Sequence, residues 1–83
     1  MTFKLRLIDI DGTYFQKDIK SLILSTPLGE ISILPNHCPI ITVVNSGKIR
    51  FRNENNDIEE LDLLNDAILE FKENEANLLT MFR

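Results

Sequence analysis

Two aspartates that follow the first apolar segment have the clearest potential for chemistry. Asp9 and Asp11 are separated by Ile10 and followed by Gly12 and Thr13. Two carboxylates this close together can act as a nucleophile, as a general acid or base, or as ligands of a divalent cation. Which of these uses applies depends on the fold that positions the pair.

The pattern D-x-D-G-T at the end of an apolar strand resembles the nucleophile motif of the haloacid-dehalogenase-like phosphatases. That chemistry requires a parallel strand in an α/β domain much longer than this chain, with a later Lys and a further acidic pair. The chain has 83 residues and no room for crossover helices. Because Asp11-Gly12 is a favoured dipeptide of tight hairpin turns, we favour a turn over a small phosphatase that uses Asp9 and Asp11.

His37 and Cys38 are the only His and Cys of the chain, and they are adjacent. Neighbouring side chains on an extended chain point to opposite sides, and no nearby Ser, Cys or acidic residue has the spacing of a triad or a metal site. We interpret His37 as a structural or interface residue and Cys38 as a small buried apolar residue. A single Cys cannot form an internal disulfide, which fits a reducing cytosolic setting. No metal ion and no cofactor are expected.

Length and charge limit the possible classes of function. With 83 residues the chain is expected to form one domain, spanning residues 1–83 and close to the lower size limit of independent stability. Its formal net charge of -4 argues against a nucleic-acid partner, which requires a basic surface. We expect no leader before the first strand, and no apolar run approaches the roughly 18 to 20 residues of a spanning helix. We expect no direct membrane insertion, so any membrane association would be through a partner.

Short strands and turn signals alternate along the chain. Residues 3–7 alternate apolar and basic side chains, and residues 14–19 and 21–25 are predicted as a second and a third strand. A further strand at residues 30–33 ends at Pro35, which has no N–H to donate to a neighbouring strand. After a new apolar run, residues 45–47 form a turn before the alternating residues 48–52. This organisation predicts an all-β fold, an antiparallel β-sandwich of about 8–10 short strands.

Residues 48–52 are predicted to pair with residues 60–63 across a polar loop at residues 53–59. One antiparallel register matches apolar residues on the buried face and opposite charges on the solvent face. The four expected pairs are Phe51–Leu61, Ile49–Leu63, Arg52–Glu60 and Arg50–Asp62.

Residues 58–71 also carry apolar side chains spaced by three or four, which would form one stripe on a helix. These residues are Ile58, Leu61, Leu64, Ile68 and Phe71. Periodicity alone leaves one helix and two strands about equally supported. Asn65 and Asp66 can supply a turn between two strands, since both tolerate left-handed backbone conformations. Residues 67–72 and 76–82 would then form a last hairpin around residues 73–75.

Residues 29–42 read G-E-I-S-I-L-P-N-H-C-P-I-I-T, and residues 45–52 read N-S-G-K-I-R-F-R. This spelling closely resembles the epsilon subunit of rotary ATP synthases, whose version runs G-E-(I/L)-G-I-(L/Y)-P-G-H-A-P-L-L-T before a Gly-led basic strand. The resemblance covers the whole chain, although Asn36 and Cys38 replace the usual Gly and Ala. It implies the N-terminal β-sandwich of that subunit, and it favours two strands over one helix in residues 57–73.

The resemblance also implies a function. Members of this family are non-catalytic subunits of the central stalk, or rotor, and link the gamma shaft to the membrane c-ring. The implied setting is a larger ATPase complex at the cytoplasmic face of the membrane, peripheral to it, which couples proton transport to ATP synthesis or hydrolysis. The family's inhibitory C-terminal helical hairpin is expected to be absent here. The alternative is a free-standing β-sandwich adaptor with an unrelated partner.

Six positions match the two contact regions of the family. Ring contact is implied for Leu28, Gly29 and Glu30, and shaft contact is implied for Asp9, His37 and Thr42. We expect Glu30 to pair with polar or basic loops of the ring.

Overall fold

The computed structural model describes residues 1–80, and this part of the chain is built from β-strands. The strands are β1 (Phe3–Asp9), β2 (Gly12–Thr26), β3 (Gly29–Ile33), β4 (Ile40–Val44), β5 (Gly47–Asn53), β6 (Ile58–Leu63), β7 (Ala67–Lys72) and β8 (Glu75–Thr80). Within these 80 residues no helix is long and apolar enough to cross a membrane. The prediction of an all-β sandwich is confirmed.

Strand β2 belongs to both layers of the sandwich. Its first half pairs with β1, and its second half pairs with β3 and β5. One layer therefore has the order β4-β7-β8-β1-β2, and the other has the order β3-β2-β5-β6. The register against β5 shifts between Ile19 and Ser21, and such a bulge bends a strand. The prediction of two separate strands in residues 14–25 is wrong, because the bulge lets a single strand turn the corner without ending.

The first and the last described strands run parallel to each other. Leu5 pairs with Ala76 and Leu7 with Leu78, whereas the other strand pairs in residues 1–80 are antiparallel. The β1–β2 and β7–β8 hairpins lie side by side through these strands. The long connection that a parallel pair requires is here residues 10–74, which include the second layer as well as β4 and β7.

The core lies between the two layers and follows the alternation along each strand. On β1, Phe3, Leu5 and Leu7 are buried, and the basic residues between them are not. The ring of Phe3 meets the ring of Phe71 edge to face, with 5.5 Å between the centroids. Full burial of each such side chain stabilises the fold by about 1.5–3 kcal/mol. The other buried apolar residues are Ile19, Leu22, Leu24, Ile33, Val44, Ile49, Phe51, Leu63, Ala67, Leu69, Ala76 and Leu78.

Strands β5 and β6 pair with each other, but two residues away from the predicted register. Ile49 lies opposite Leu61, and Arg50 lies opposite Glu60. A shift by two residues leaves every side chain on its predicted face, so the alternation is correct and the partners are not. The pairs shown to be wrong are Phe51–Leu61, Ile49–Leu63, Arg52–Glu60 and Arg50–Asp62.

The reason for this shift is a tighter turn than predicted. The Asn53 side-chain oxygen accepts hydrogen bonds from the amides of Asn55 and Asp57 at 2.9 and 3.0 Å. The Asn53 amide donates to the Asp57 carbonyl at 2.9 Å. Pairing therefore begins at Ile58 instead of Glu60.

Residues 58–72 form two strands, so the helix alternative is excluded. The turn between them contains no residue with positive φ; instead, the Asp66 side chain accepts a hydrogen bond from the Ser46 amide at 2.8 Å. The last hairpin turns at Glu73 and Asn74, whose φ angles are 52° and 61°. The end of the strand predicted at residues 76–82 lies outside the described residues.

Cys38 is exposed, so the prediction that it is buried is wrong. It lies in residues 34–39, the irregular segment between β3 and β4. Because Pro35 and Pro39 keep this segment out of both layers, its side chains do not alternate into the core.

Candidate functional site

An apolar groove, which we call the outer groove, lies on the solvent face of the layer β4-β7-β8-β1. Val43, Ile68, Leu79 and Ile8 lie side by side across these four strands, and Ile10 in the β1–β2 turn is 85% exposed. The groove has a volume of about 450 Å³ and is lined by Asp9, Ile10, Val43, Asp66, Ala67, Ile68, Leu79 and Thr80. A cluster of apolar side chains on an exposed face is typical of a docking surface.

Asp9 lies at the rim of the outer groove. Its Oδ1 accepts a hydrogen bond from the Asp11 amide at 2.8 Å, and the chain then turns through Gly12, whose φ is 108°. β2 follows directly and runs antiparallel to β1. The D-x-D-G-T pattern is therefore a hairpin turn, and the Asp9 carboxylate helps to hold it.

Thr42 lies on β4 but faces away from the outer groove. It pairs with Leu69, whose side chain is in the core, whereas the neighbouring Val43 faces the groove. The Thr42 hydroxyl donates to the Val43 carbonyl at 3.2 Å. Thr42 is thus half-buried on the edge strand of this layer.

His37 lies in the segment before β4, beside the opposite end of the same layer. Its ring meets the edge of Phe71 with 5.9 Å between centroids and 84° between planes, and its Nδ1 donates to the Cys38 carbonyl at 2.7 Å. From Ala67 at the groove to Phe71, β7 extends about 13 Å at its usual rise per residue. The structure therefore does not gather Asp9, Thr42 and His37 at one point, but spreads them along the layer. In residues 1–80 no three His, Cys, Asp or Glu side chains are grouped as a metal ion would require.

The β2–β3 hairpin carries the three residues implied in ring contact. Leu28 is fully exposed at its tip, and Gly29 has a φ of 124°, which a larger residue would adopt only with strain. The Thr26 hydroxyl donates to the Gly29 carbonyl at 2.7 Å and accepts from the Leu28 amide at 3.2 Å. The Thr26 hydroxyl therefore holds the turn of the hairpin in one conformation, with Leu28 exposed to solvent.

Glu30 already has a partner within the chain. Its carboxylate lies 3.2 Å from Arg50 Nη2, while Lys48 pairs with Asp62 at 3.1 Å. The hydrogen bond and the charge of Asp62 raise the pKa of Lys48. The basic residues of β5 are thus largely neutralised, which agrees with a solvated sheet face.

A cross-layer ion pair closes one open side of the sandwich. Lys17 Nζ on β2 lies 2.7 Å from Glu59 Oε2 on β6 and 5.8 Å from the centroid of Phe51. Asn53 donates to the same carboxylate oxygen at 2.8 Å. The hydrogen bonds from Lys17 and Asn53 lower the pKa of Glu59.

The sequence reasoning did not identify the residues of the outer groove other than Asp9. A signal was present, because Val43-Val44, Ile68-Leu69 and Leu78-Leu79 are runs without polar alternation. Such runs indicate strands covered on both faces. Which runs would meet on one surface depended on the strand order, which the sequence did not reveal.

Comparison with known proteins supports the resemblance found in the sequence. A family model described as "ATP synthase, Delta/Epsilon chain, beta-sandwich domain" matches residues 2–81. The chloroplastic ATP synthase epsilon chain of Mesostigma viride is 33% identical over 79 residues, which cover 95% of this chain and 59% of that protein. The same protein from Ipomoea batatas is 44% identical over 52 residues, covering 63% and 39%. The matched residues therefore span 59% and 39% of the lengths of these two relatives.

Solved structures share the fold. A chain in the Euglena gracilis mitochondrial ATP synthase (OSCP/F1/c-ring) aligns with a TM-score of 0.82 and 15% identity, over 94% of this chain and 49% of that one. A chain in the Tetrahymena thermophila mitochondrial ATP synthase (central stalk/c-ring) aligns with a TM-score of 0.72 and 12% identity, over 95% and 63%. At these identities the two structures establish the fold alone. Because the family model matches residues 2–81, the chain belongs to the ATP synthase delta/epsilon family, as its β-sandwich domain.

Proposed function

We propose that this chain is a non-catalytic rotor subunit in the central stalk of a rotary ATP synthase or ATPase. It links a gamma-type shaft subunit to the membrane c-ring and transmits torque, so that proton transport is coupled to ATP synthesis or hydrolysis. Its place is peripheral, at the cytoplasmic face of the membrane, within the larger complex. Family membership supports this role.

The outer groove is the observation on which the proposal mainly rests. The core is complete on the inner side of the layer, so the apolar side chains on the outer side add little to folding. The exposed fractions of four groove residues, Ile10, Val43, Ile68 and Leu79, and of Ile41 beside the groove on β4 are together equivalent to about three fully exposed side chains. Burying them would contribute about 4.5–9 kcal/mol. Association costs a comparable amount, so the shaft must also contact polar residues around the groove.

The edge strand β4 borders the outer groove, carries Thr42 and follows the segment that contains His37. β4 pairs with β7 alone among the described strands. A partner lying along its free edge would contact Thr42 and His37, and if it also covered the outer groove it would reach across β7 and β8 to Asp9. We assign shaft contact to these three residues on this basis.

The β2–β3 hairpin is the proposed ring contact. Leu28 is fully exposed at the tip, and the closed turn holds Gly29 and Glu30 in place. Exposed ion pairs such as Glu30–Arg50 are weak, so Glu30 can exchange Arg50 for a basic ring loop.

The test is to measure binding of the full chain to the gamma-type shaft subunit of its own organism. Ile68→Glu removes half-exposed apolar surface and places an unpaired carboxylate in the interface, a loss of about 2–4 kcal/mol. The dissociation constant should rise about 30- to 700-fold.

Ile58→Glu is the matched control. Ile58 is 60% exposed and Ile68 is 47% exposed, but Ile58 lies on β6 in the other layer, so this variant should bind like the wild type. Equal loss of binding in the two variants, or a wild-type chain that does not bind the shaft subunit, would contradict the proposal. The second result would favour a free-standing adaptor.

A further inference from the structure

Three turns meet at the end of the sandwich that carries the outer groove. They are the β2–β3 hairpin, the β4–β5 turn and the β6–β7 turn. The Asn45 amide donates to the Ser25 carbonyl at 2.8 Å, and Asn45 Nδ2 donates to Ser25 Oγ at 3.3 Å. The next amide, that of Ser46, donates to Asp66 Oδ1 at 2.8 Å. We call Ser25, Asn45, Ser46 and Asp66 the brace.

The brace connects the two layers of the sandwich. Ser25 lies in the β3-β2-β5-β6 layer, where it pairs with Glu30 across the β2–β3 hairpin. Asp66 directly precedes β7 in the other layer and lines the outer groove. The hydrogen bonds of the brace therefore run from the base of the hairpin to the wall of the groove.

We infer that Asp66 and Asn45 are positioning residues that hold the β2–β3 hairpin in a fixed place relative to the outer groove. The inference deepens the proposed function and rests on it for its consequence, because a domain held at two contacts transmits torque only if those contacts do not move relative to each other. Without the brace, the layers at this end would be joined only through the backbone of the β4–β5 and β6–β7 turns. The backbone of the hairpin would then move independently of the groove.

The chemistry of Asp66 provides a matched pair of variants. Asp66→Asn keeps a side-chain oxygen that can accept from the Ser46 amide, whereas Asp66→Ala removes the acceptor. Asn65→Ala is the control for the turn, since Asn65 is exposed, adjacent to Asp66 and outside the brace.

Amide hydrogen exchange in the full chain, followed residue by residue by NMR, tests the inference. In Asp66→Ala the amides of Ser46, Asn45 and Leu28 should exchange about 2- to 13-fold faster, as expected for loss of one hydrogen bond. The core amides of Leu5 and Leu78, which exchange through global unfolding, should speed up no more than the loss of global stability requires, and they serve as the reference for the other three amides. Asp66→Asn should restore most of the protection.

Two results would overturn the inference. In the first, the Ser46 amide exchanges faster in Asp66→Ala, but the Leu28 amide exchanges at the same rate as in Asn65→Ala. The Asp66 hydrogen bond would then stabilise only its own turn and not the β2–β3 hairpin. In the second, the Ser46 amide does not respond at all. Binding of the wild-type chain to the shaft subunit is measured separately, so a failure of the proposed function leaves the exchange result interpretable.

Discussion

Asn74 ties three parts of the chain together, and replacing it should separate a backbone effect from a side-chain effect. Its Oδ1 accepts from the Asn36 amide at 2.8 Å, and its Nδ2 donates to the Thr2 carbonyl at 3.0 Å. Its φ of 61° is left-handed. One side chain thus fastens the N-terminus and the segment that carries His37 to the β7–β8 turn.

The structure sets the size of the effect. Asn74→Gly keeps the left-handed backbone and loses both side-chain hydrogen bonds, one exposed and one part-buried, which should lower the free energy of unfolding by about 1–2 kcal/mol. Asn74→Ala loses the same bonds and, unlike Asn74→Gly, keeps a Cβ in a left-handed conformation that Ala tolerates less well than Asn, so it should be about 1–2 kcal/mol less stable than Asn74→Gly. A chain of this size should have a total stability of about 4–12 kcal/mol, so the alanine variant loses a substantial part of it.

Urea unfolding followed by far-UV circular dichroism measures these differences, and thermal melts check them. A loss of 1 kcal/mol lowers Tm by roughly 4–8 °C in a domain of this size. The control is Asn56→Gly, because Asn56 also has a positive φ of 68°, but its side chain makes one exposed hydrogen bond, with Lys20 at 3.1 Å. That variant should stay within about 0.5 kcal/mol of the wild type.

Two results would refute the reasoning. Equal losses in Asn74→Gly and Asn74→Ala would mean that the left-handed backbone carries no cost at this position. A loss in Asn74→Gly no larger than in Asn56→Gly would mean that the bonds to Asn36 and Thr2 do not stabilise the fold.

Two further predictions concern the core and the cross-layer ion pair. Leu69→Ala should lower the free energy of unfolding by about 2–5 kcal/mol, whereas Ile68→Ala, one residue away on the outer face, should lower it by less than about 1.5 kcal/mol. Urea unfolding measures both values, and similar losses would contradict the assignment of the two residues to opposite faces. The pKa of Glu59 in the folded chain is lowered. The ionised carboxylate therefore stabilises the fold fully above about pH 4.3, the ordinary pKa of Glu, and this stabilisation is lost as the pH falls through the folded-state pKa. Lys17→Met should therefore reduce the drop in Tm on acidification, and an unchanged drop would exclude this ion pair as its source.

Local alternation was sufficient to predict most of the fold. Phe3, Leu5 and Leu7 on β1, and Ile49 and Phe51 on β5, are buried as their spacing indicated. The β5–β6 register was missed by two residues because it depends on how a turn closes. The hydrogen bonds of the Asn53 side chain decide this, and alternation carries no information about them.

The helical stripe in residues 58–71 misled for a different reason. Ile58, Leu64 and Ile68 are exposed in the structure, so three of the five apolar positions do not face the core. Two of these residues lie on the outer faces of β6 and β7, and Leu64 lies in the turn between them. Because these apolar residues lie outside the core, the alternation of two strands has the same apolar spacing of three or four residues as a helix.

One part of the candidate site could be predicted from local sequence and the other part could not. The β2–β3 hairpin is local, and Pro27, Gly29 and the neighbouring strands marked it in the sequence. The outer groove combines side chains from β1, β4, β7 and β8 and the turn that holds Ile10. It exists only because β8 lies between β1 and β7, an arrangement that no local pattern encodes.

The free edge of β4 gives an independent reason to expect a partner there. An apolar edge strand with unpaired backbone groups is a template for aggregation, and proteins usually protect such edges with Lys, Pro or a bulge. β4 reads I-I-T-V-V and contains neither Lys nor Pro, and Ile41 is largely exposed. Such an edge makes the free chain prone to aggregation, and a partner that covers the edge prevents this. A shaft subunit lying along β4 would cover the edge and the outer groove together, so one partner accounts for both exposed features.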